Sequence, residues 1–186
     1  GLQPDIITCA KGLTSGYVPM GATIISDKLM KSLANECKES TLFSHGFTYS
    51  GHPAAAVAAL KTMDLIEEEK ILGHVRQITP HFQNRLQKLG EKYEIIGNAR
   101  GIGLLGCLEG NTSLGLTASE TLSGDYKFGE LIDAATEKRG LLVRPIINMC
   151  VFSPPLIITK TQVDEMFDIL DDSLNEVQNK LKNEKT

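Results

Sequence analysis

Short apolar runs rich in β-branched residues alternate along this chain with longer segments whose apolar residues recur at helical spacing. That alternation restricts it to folds in which helices are layered on sheet, so α/β is the expected fold class. Asp5 to Thr8 is such a run, stopped by Cys9-Ala10-Lys11-Gly12, and Gly21 to Ser26 is the next. Two buried strands around a Gly-rich loop are expected, with Lys11 at a strand end. Asp27 is placed to cap a helix over Lys28 to Ala34, and Cys37 to Gly51 is polar and irregular, the kind of loop that carries function. Pro53 suits a first helical turn, and the alanines between Ala54 and Ala59 imply a closely packed helix running on to Glu69.

Farther along, Ile71, Leu72, Val75, Ile78, Phe82, Leu86 and Leu89 describe an amphipathic helix, or a pair kinked at Pro80. Ile95-Ile96 and Ile102 to Leu108 read as strands, Asn111 to Tyr126 as a polar excursion, and Phe128 to Lys138 as a helix stopped by Gly140. Leu141 to Val143 and Met149 to Phe152 are further short strands. Thr159 starts a last helix with Val163, Met166, Phe167, Leu170 and Leu174 on one face, and a charged, frayed tail is expected after Lys180. The charge cluster Glu67 to Lys70 marks the expected domain boundary, dividing the chain into residues 1–68 and 69–186.

Composition removes several function classes. The 186 residues are enough to bury a core, and a hydrophobic share of 41% with 23% charged argues against disorder. Nineteen basic against 23 acidic residues leave a net charge of −4, with no footprint for nucleic acid or an anionic membrane. Small molecules or proteins are the expected partners. No apolar run approaches the roughly 20 residues that span a bilayer, and no basic segment precedes an apolar core at the N-terminus. Cys9, Cys37, Cys107 and Cys150 are scattered, without CxxC or zinc-ligand spacing, and read as reduced thiols with no metal role.

Gly101-Ile102-Gly103-Leu104-Leu105-Gly106 matches GxGxxG, but a dinucleotide site needs that run to open a helix, with an acid roughly 20 residues on. Here a strand continues through Cys107-Leu108-Glu109, so the glycines are read as permitting twist and close packing. Lys11 is more informative. A lysine after an apolar strand, between Ala10 and Gly12, is expected where solvent is scarce, and desolvation is the usual route to a nucleophilic amine able to condense with an aldehyde.

The segment from Pro4 through Asp5-Ile6-Ile7-Thr8-Cys9-Ala10-Lys11-Gly12 to Gly21-Ala22 resembles the pyridoxal-phosphate lysine segment of class III aminotransferases. In the same order follow Phe43-Ser44-His45-Gly46-Phe47-Thr48-Tyr49-Ser50-Gly51-His52-Pro53, which is similar to that family's phosphate-contact loop, then Ala99-Arg100-Gly101, Leu142-Val143-Arg144-Pro145 and Ser153-Pro154-Pro155. The resemblance covers nearly the whole chain and is weakest over Gly110 to Tyr126. It corresponds to the later portion of a family member, so the chain is expected to be a fragment. The portion upstream in such proteins supplies a Gly-Ser or Gly-Thr phosphate loop, a stacking aromatic and an Asp for the pyridinium nitrogen, and the isolated chain is expected to bind cofactor weakly.

The resemblance implies a fold-type I enzyme, with the end of the large cofactor domain followed by a small α/β domain, and a homodimer with shared active sites. Lys11 would form the Schiff base with pyridoxal 5'-phosphate and act as the proton shuttle, and Thr48 would reach the cofactor phosphate of the other subunit. Arg144 would pair with a substrate carboxylate through its planar fork. Val151, where ornithine-type members tend to carry an arginine, favours transfer from an amine or ω-amino acid to pyruvate over a 2-oxoglutarate type. Ile147-Asn148-Met149 departs from the Gly-containing turn common there. His45 and His52 are expected to order the Thr48 loop by hydrogen bonds, His74 and His81 to face solvent, and Tyr17 and Tyr49 to border the active-site mouth. The rival readings are a decarboxylase or aminomutase of the same family, or a non-catalytic interaction domain. The expected location is the cytoplasm, with an organelle matrix left open.

Overall fold

The computed structural model describes residues 1–36, 45–111 and 118–183. Their contacts separate the chain into two compact units, Gly1–Lys70 and Ile71–Thr186.

In the first unit, β1 (Ile6–Ala10) and β2 (Gly21–Ile25) form an antiparallel pair in register from Ile6↔Ile25 to Ala10↔Gly21. The connection begins with a single 3-10 turn, Lys11–Thr14, whose buried Thr14 donates its hydroxyl to the Val18 carbonyl at 2.6 Å. The strands were expected to be buried, and they are not: Ile6, Ile7 and Ile24 are 53%, 48% and 56% exposed. A two-stranded ladder has two faces, and no described element of this unit covers these residues. The helix α1 (Asp27–Glu36) follows, capped by Ser26 and not by Asp27. Ser26 Oγ accepts from Leu29 N at 3.2 Å, which leaves Asp27 in the first turn, where a carboxylate complements the helix dipole. The helix α2 (Pro53–Glu68) carries Pro at its start and buries Ala55 and Ala59.

In the second unit, α3 (Ile71–Lys92) is one helix with Pro80 inside it. The sheet has the order β3 (Ile96–Ile102), β4 (Leu105–Gly110), β6 (Met149–Phe152), β5 (Arg144–Ile146), with every pair antiparallel. One face packs against α3 and α4 (Ala118–Glu137), and α5 (Lys160–Asn183) packs against both of these helices. Phe82, Leu86, Leu108, Phe128, Ile132, Phe167, Leu170 and Leu174 form the fully buried centre, with Phe82 and Phe167 meeting edge to face at 5.2 Å. Complete burial of each such side chain contributes about 1.5–3 kcal/mol.

Three element boundaries differ from the sequence expectation. The run Ile102 to Leu108 is interrupted: Ile102↔Leu105 closes a two-residue hairpin with Gly103 at φ +60, the geometry that places Gly first in a tight turn. The strand before it extends through Asn98-Ala99-Arg100. The helix α4 starts at Ala118, well before Phe128, because its buried residues Phe128, Ile132 and Ala135 lie in the later turns and the earlier turns show no apolar period. Leu141 to Val143 is not a strand. Gly140 (φ +84) closes α4, its N–H bonding to Glu137 O at 2.9 Å and the Leu141 N–H to Thr136 O at 3.0 Å, so Leu141 belongs to the helix cap. The last helix starts as expected: Thr159 Oγ1 accepts from Gln162 N at 3.2 Å and Gln162 Oε1 accepts from Thr159 N at 2.9 Å, a reciprocal capping box.

Candidate active site

Lys11 is the first residue beyond the β1–β2 ladder, which ends at Ala10↔Gly21. Its backbone is left-handed, φ +53, an unusual state for a residue with a side chain and one that costs about 1–2 kcal/mol. The turn is pinned by Gly16 N donating to Lys11 O at 3.3 Å and Ser15 N to Gly12 O at 3.1 Å. Among the described residues Lys11 is exposed, because none of its unit stands over the ladder end. Its amine has no hydrogen-bond or carboxylate partner among the described residues.

Thr48 lies in the same unit, within a turn in which Ser50 N donates to Phe47 O at 2.9 Å and Phe47 N to Ser50 Oγ at 2.9 Å. Gly51 follows at φ +70, and His52 N donates to Tyr49 O at 3.1 Å just before Pro53 opens α2. The Thr48 hydroxyl itself bonds no described residue, which leaves its donor and both lone pairs available. A concavity of about 440 Å³ brings Val18, Pro19 and Met20, beyond the Lys11 turn, against Phe47, Tyr49 and His52 of the Thr48 loop. The histidines order this loop through ring contacts, His52 with Tyr49 at 5.7 Å and His45 with Phe47 at 6.0 Å. Tyr17 and Tyr49 are exposed, and the part of the motif from Phe43 to Ser44 lies outside the described residues.

Arg144 belongs to the second unit. It opens the edge strand β5 opposite Val151 of β6, and strand alternation puts it with Val151, Cys107 and Arg100 on the sheet face away from the helices. Arg100 is occupied, ion-paired with Glu109, which raises its pKa further, and bonded to Asn98. Arg144 is exposed and has no partner among the described residues. It lines a cavity of about 900 Å³ whose other walls include Val151, Ile157 and Met166, with Gln162 and Glu165 as polar groups. A guanidinium at the rim of a largely apolar cavity suits a ligand with a carboxylate and an apolar body.

Other expectations need correction. His74 and His81 do not simply face solvent: His74 Nε2 is 2.8 Å from Ile158 O, and His81 Nε2 is 2.7 Å from Asp164 Oδ1. Both are half-buried between α3 and the α5 region, contacts between residues distant in the chain. The His81 hydrogen bond, followed by the charges of His81 and Arg85, holds the Asp164 carboxyl below its usual range. Burial pushes the Cys150 and Cys107 thiols up, so neither is a ready thiolate, and Cys9, Cys107 and Cys150 are free. Cys37 lies outside the described residues. Among the described residues no His, Cys, Asp and Glu cluster could hold a metal, and no helix is long and apolar enough to cross a membrane.

The class of protein follows from comparison with known sequences. The family model for class-III aminotransferases matches residues 1–174, and the chain belongs to that family. An uncharacterized aminotransferase of Sinorhizobium fredii is 37% identical over 97% of this chain and 39% of its own length. The putrescine–pyruvate aminotransferase of Pseudomonas aeruginosa is 38% identical over 91% of this chain and 36% of its own. The pyridoxamine-phosphate-bound aminotransferase of Vibrio fluvialis superposes with a TM-score of 0.84 and 38% identity, covering 95% of this chain and 38% of that one. The chain therefore spans about two fifths of the length of these relatives. Class III aminotransferases use pyridoxal phosphate, and two groups without partners among the described residues fit it: the Lys11 amine its aldehyde and the Thr48 hydroxyl a phosphate oxygen.

Proposed function

We propose that the protein carrying this chain is a pyridoxal-phosphate-dependent transaminase that moves an amino group from an amine or ω-amino acid to pyruvate. The observation that carries the reading is Lys11, an unpartnered amine held at a left-handed backbone position at the end of β1. Strain kept at such a position is characteristic of functional sites. Bound pyridoxal phosphate would supply an electron sink for the substrate carbanion. Lys11 Nζ would hold the cofactor through its aldehyde, and the same amine would carry a proton to and from the substrate carbon. Thr48 Oγ1 donates to a phosphate oxygen across the interface of a homodimer. Arg144 binds the carboxylate of the keto acid, and Val151 beside it, an apolar residue without a second cation, supports pyruvate over a dicarboxylate acceptor.

On this reading residues 1–68 are the end of the cofactor domain and residues 69–186 the small C-terminal domain, of an enzyme working in the cytoplasm. Borohydride reduction of the complete protein with pyridoxal phosphate, followed by peptide mapping, tests the assignment. The expected adduct is on Lys11, and an adduct on any other lysine would overturn it. Amine transfer that proceeds with 2-oxoglutarate and not with pyruvate would overturn the acceptor.

A further inference from the structure

The hairpin that carries Arg144 contains a second strained residue. Pairing of Ile146 with Met149 leaves Ile147-Asn148 as a two-residue loop, and Ile147 has φ +59. That first loop position normally takes glycine, and a β-branched side chain is among the least tolerant of a left-handed backbone. The loop is held from two sides. Gly110 N donates to Asn148 O at 2.8 Å and Asn148 Nδ2 to Gly110 O at 3.2 Å, which ties it to the end of β4. From α4, Gly129 lies directly beneath the Ile147 carbonyl: a Cβ on Gly129 would collide with that oxygen and stand 3.3 Å from Pro145 Cβ.

The strand β5 is three residues long, lies at the sheet edge, and pairs with β6 alone. Beyond its ladder to β6 and its packing on α4, the loop is the remaining restraint on where the Arg144 backbone sits. Resting on the proposed carboxylate role of Arg144, we infer that Ile147 is a positioning residue: its locked left-handed turn holds β5 in the register that keeps Arg144 opposite Val151 and at the rim of the cavity. Glycine at this position would relieve the strain but let the loop sample both hands of backbone, and only the three-residue ladder to β6 and the packing on α4 would then resist the drift.

The test uses the complete protein, with pyruvate varied in steady-state kinetics on the wild type and on Ile147→Gly, Ile147→Ala, Ile147→Asn and Arg144→Ala, alongside thermal melting. Ile147→Gly is expected to melt higher than Ile147→Ala, because both lose the side chain and only alanine keeps a Cβ at φ +59. Its KM for pyruvate is expected to rise about tenfold with kcat at saturation unchanged within about twofold, the mark of a misplaced binding group. Ile147→Asn, which tolerates the left-handed state while keeping a side chain, should fall between the two. If Arg144→Ala raises KM while Ile147→Gly melts higher with KM unchanged, Ile147 affects stability alone and the inference is overturned. A melting temperature for Ile147→Gly no higher than that of Ile147→Ala overturns the strain on which it stands. An unchanged KM in Arg144→Ala overturns the reading of Arg144 itself, and the inference with it.

Discussion

Tyr93, just past the end of α3, offers a quantitative check on how the second unit is held together. It is 4% exposed, and its hydroxyl lies 2.7 Å from both the backbone oxygen and Oδ1 of Asp171 on α5. Lys92 Nζ donates to the same carboxylate at 2.7 and 2.6 Å. Burial first, and the hydrogen bond to Asp171 second, push the Tyr93 pKa up to about 12 from an ordinary 10.0. Because the folded value lies above the unfolded one, the linked stability is fully present below about pH 10 and is lost as the pH rises through about 12. Two pKa units at about 1.4 kcal/mol each correspond to roughly 3 kcal/mol.

Tyrosinate absorbance near 295 nm, recorded for the wild type minus Tyr93→Phe, isolates this one side chain from the others. The difference signal should appear near pH 12 or together with unfolding. Removing the hydroxyl at neutral pH should lower the unfolding free energy by about 1.5–3 kcal/mol, since the partner is a carboxylate. A difference signal centred near pH 10, with urea midpoints equal in the two proteins, would refute the clasp.

The strain at Lys11 predicts that Lys11→Gly is more stable than Lys11→Ala by about 1 kcal/mol, measured by denaturant unfolding, since both lose the amine and only alanine keeps a Cβ at φ +53; equal stabilities would remove the strain. Thr159→Ala removes the side-chain half of the capping box on α5, the bond from Gln162 N to Thr159 Oγ1, and should cost about 1 kcal/mol by the same measurement. Asp164, with its pKa held down first by His81, contributes stability that is present above the ordinary carboxylate range and is lost as the pH falls through its lowered value. The acid limb of the stability profile should therefore be shallower in Asp164→Asn, and an unchanged limb would count against the pairing.

Much of the fold is legible where a residue type has a local reason to be where it is. Pro53 opening α2, Thr159 and Gln162 boxing the start of α5, and the Val163-to-Leu174 face all act within a turn or two of themselves. The first half of α4 was illegible because its turns bury little, and Leu141 because a helix cap claims its N–H. His81 and Asp164 meet across 83 residues of sequence, a distance no periodicity encodes. At the site, motif likeness brings forward Lys11, Thr48 and Arg144, but not their unpartnered state, nor the left-handed backbone at Lys11 and Ile147. Neither residue type announces a positive φ.

The three glycines that match a nucleotide-binding spacing each resist a side chain for a separate reason. Gly103 has open space around it but a backbone angle that disfavours any side chain, while a Cβ at Gly101 would strike the Leu105 carbonyl and Gln83. One at Gly106 would press on Phe82 at 3.0 Å and Leu86 at 3.1 Å, inside the core. Evolutionary drift at this hairpin is thus blocked three times over by geometry alone. Among descendants of this sequence, its glycines should persist through packing and backbone geometry, with no ligand needed to account for them.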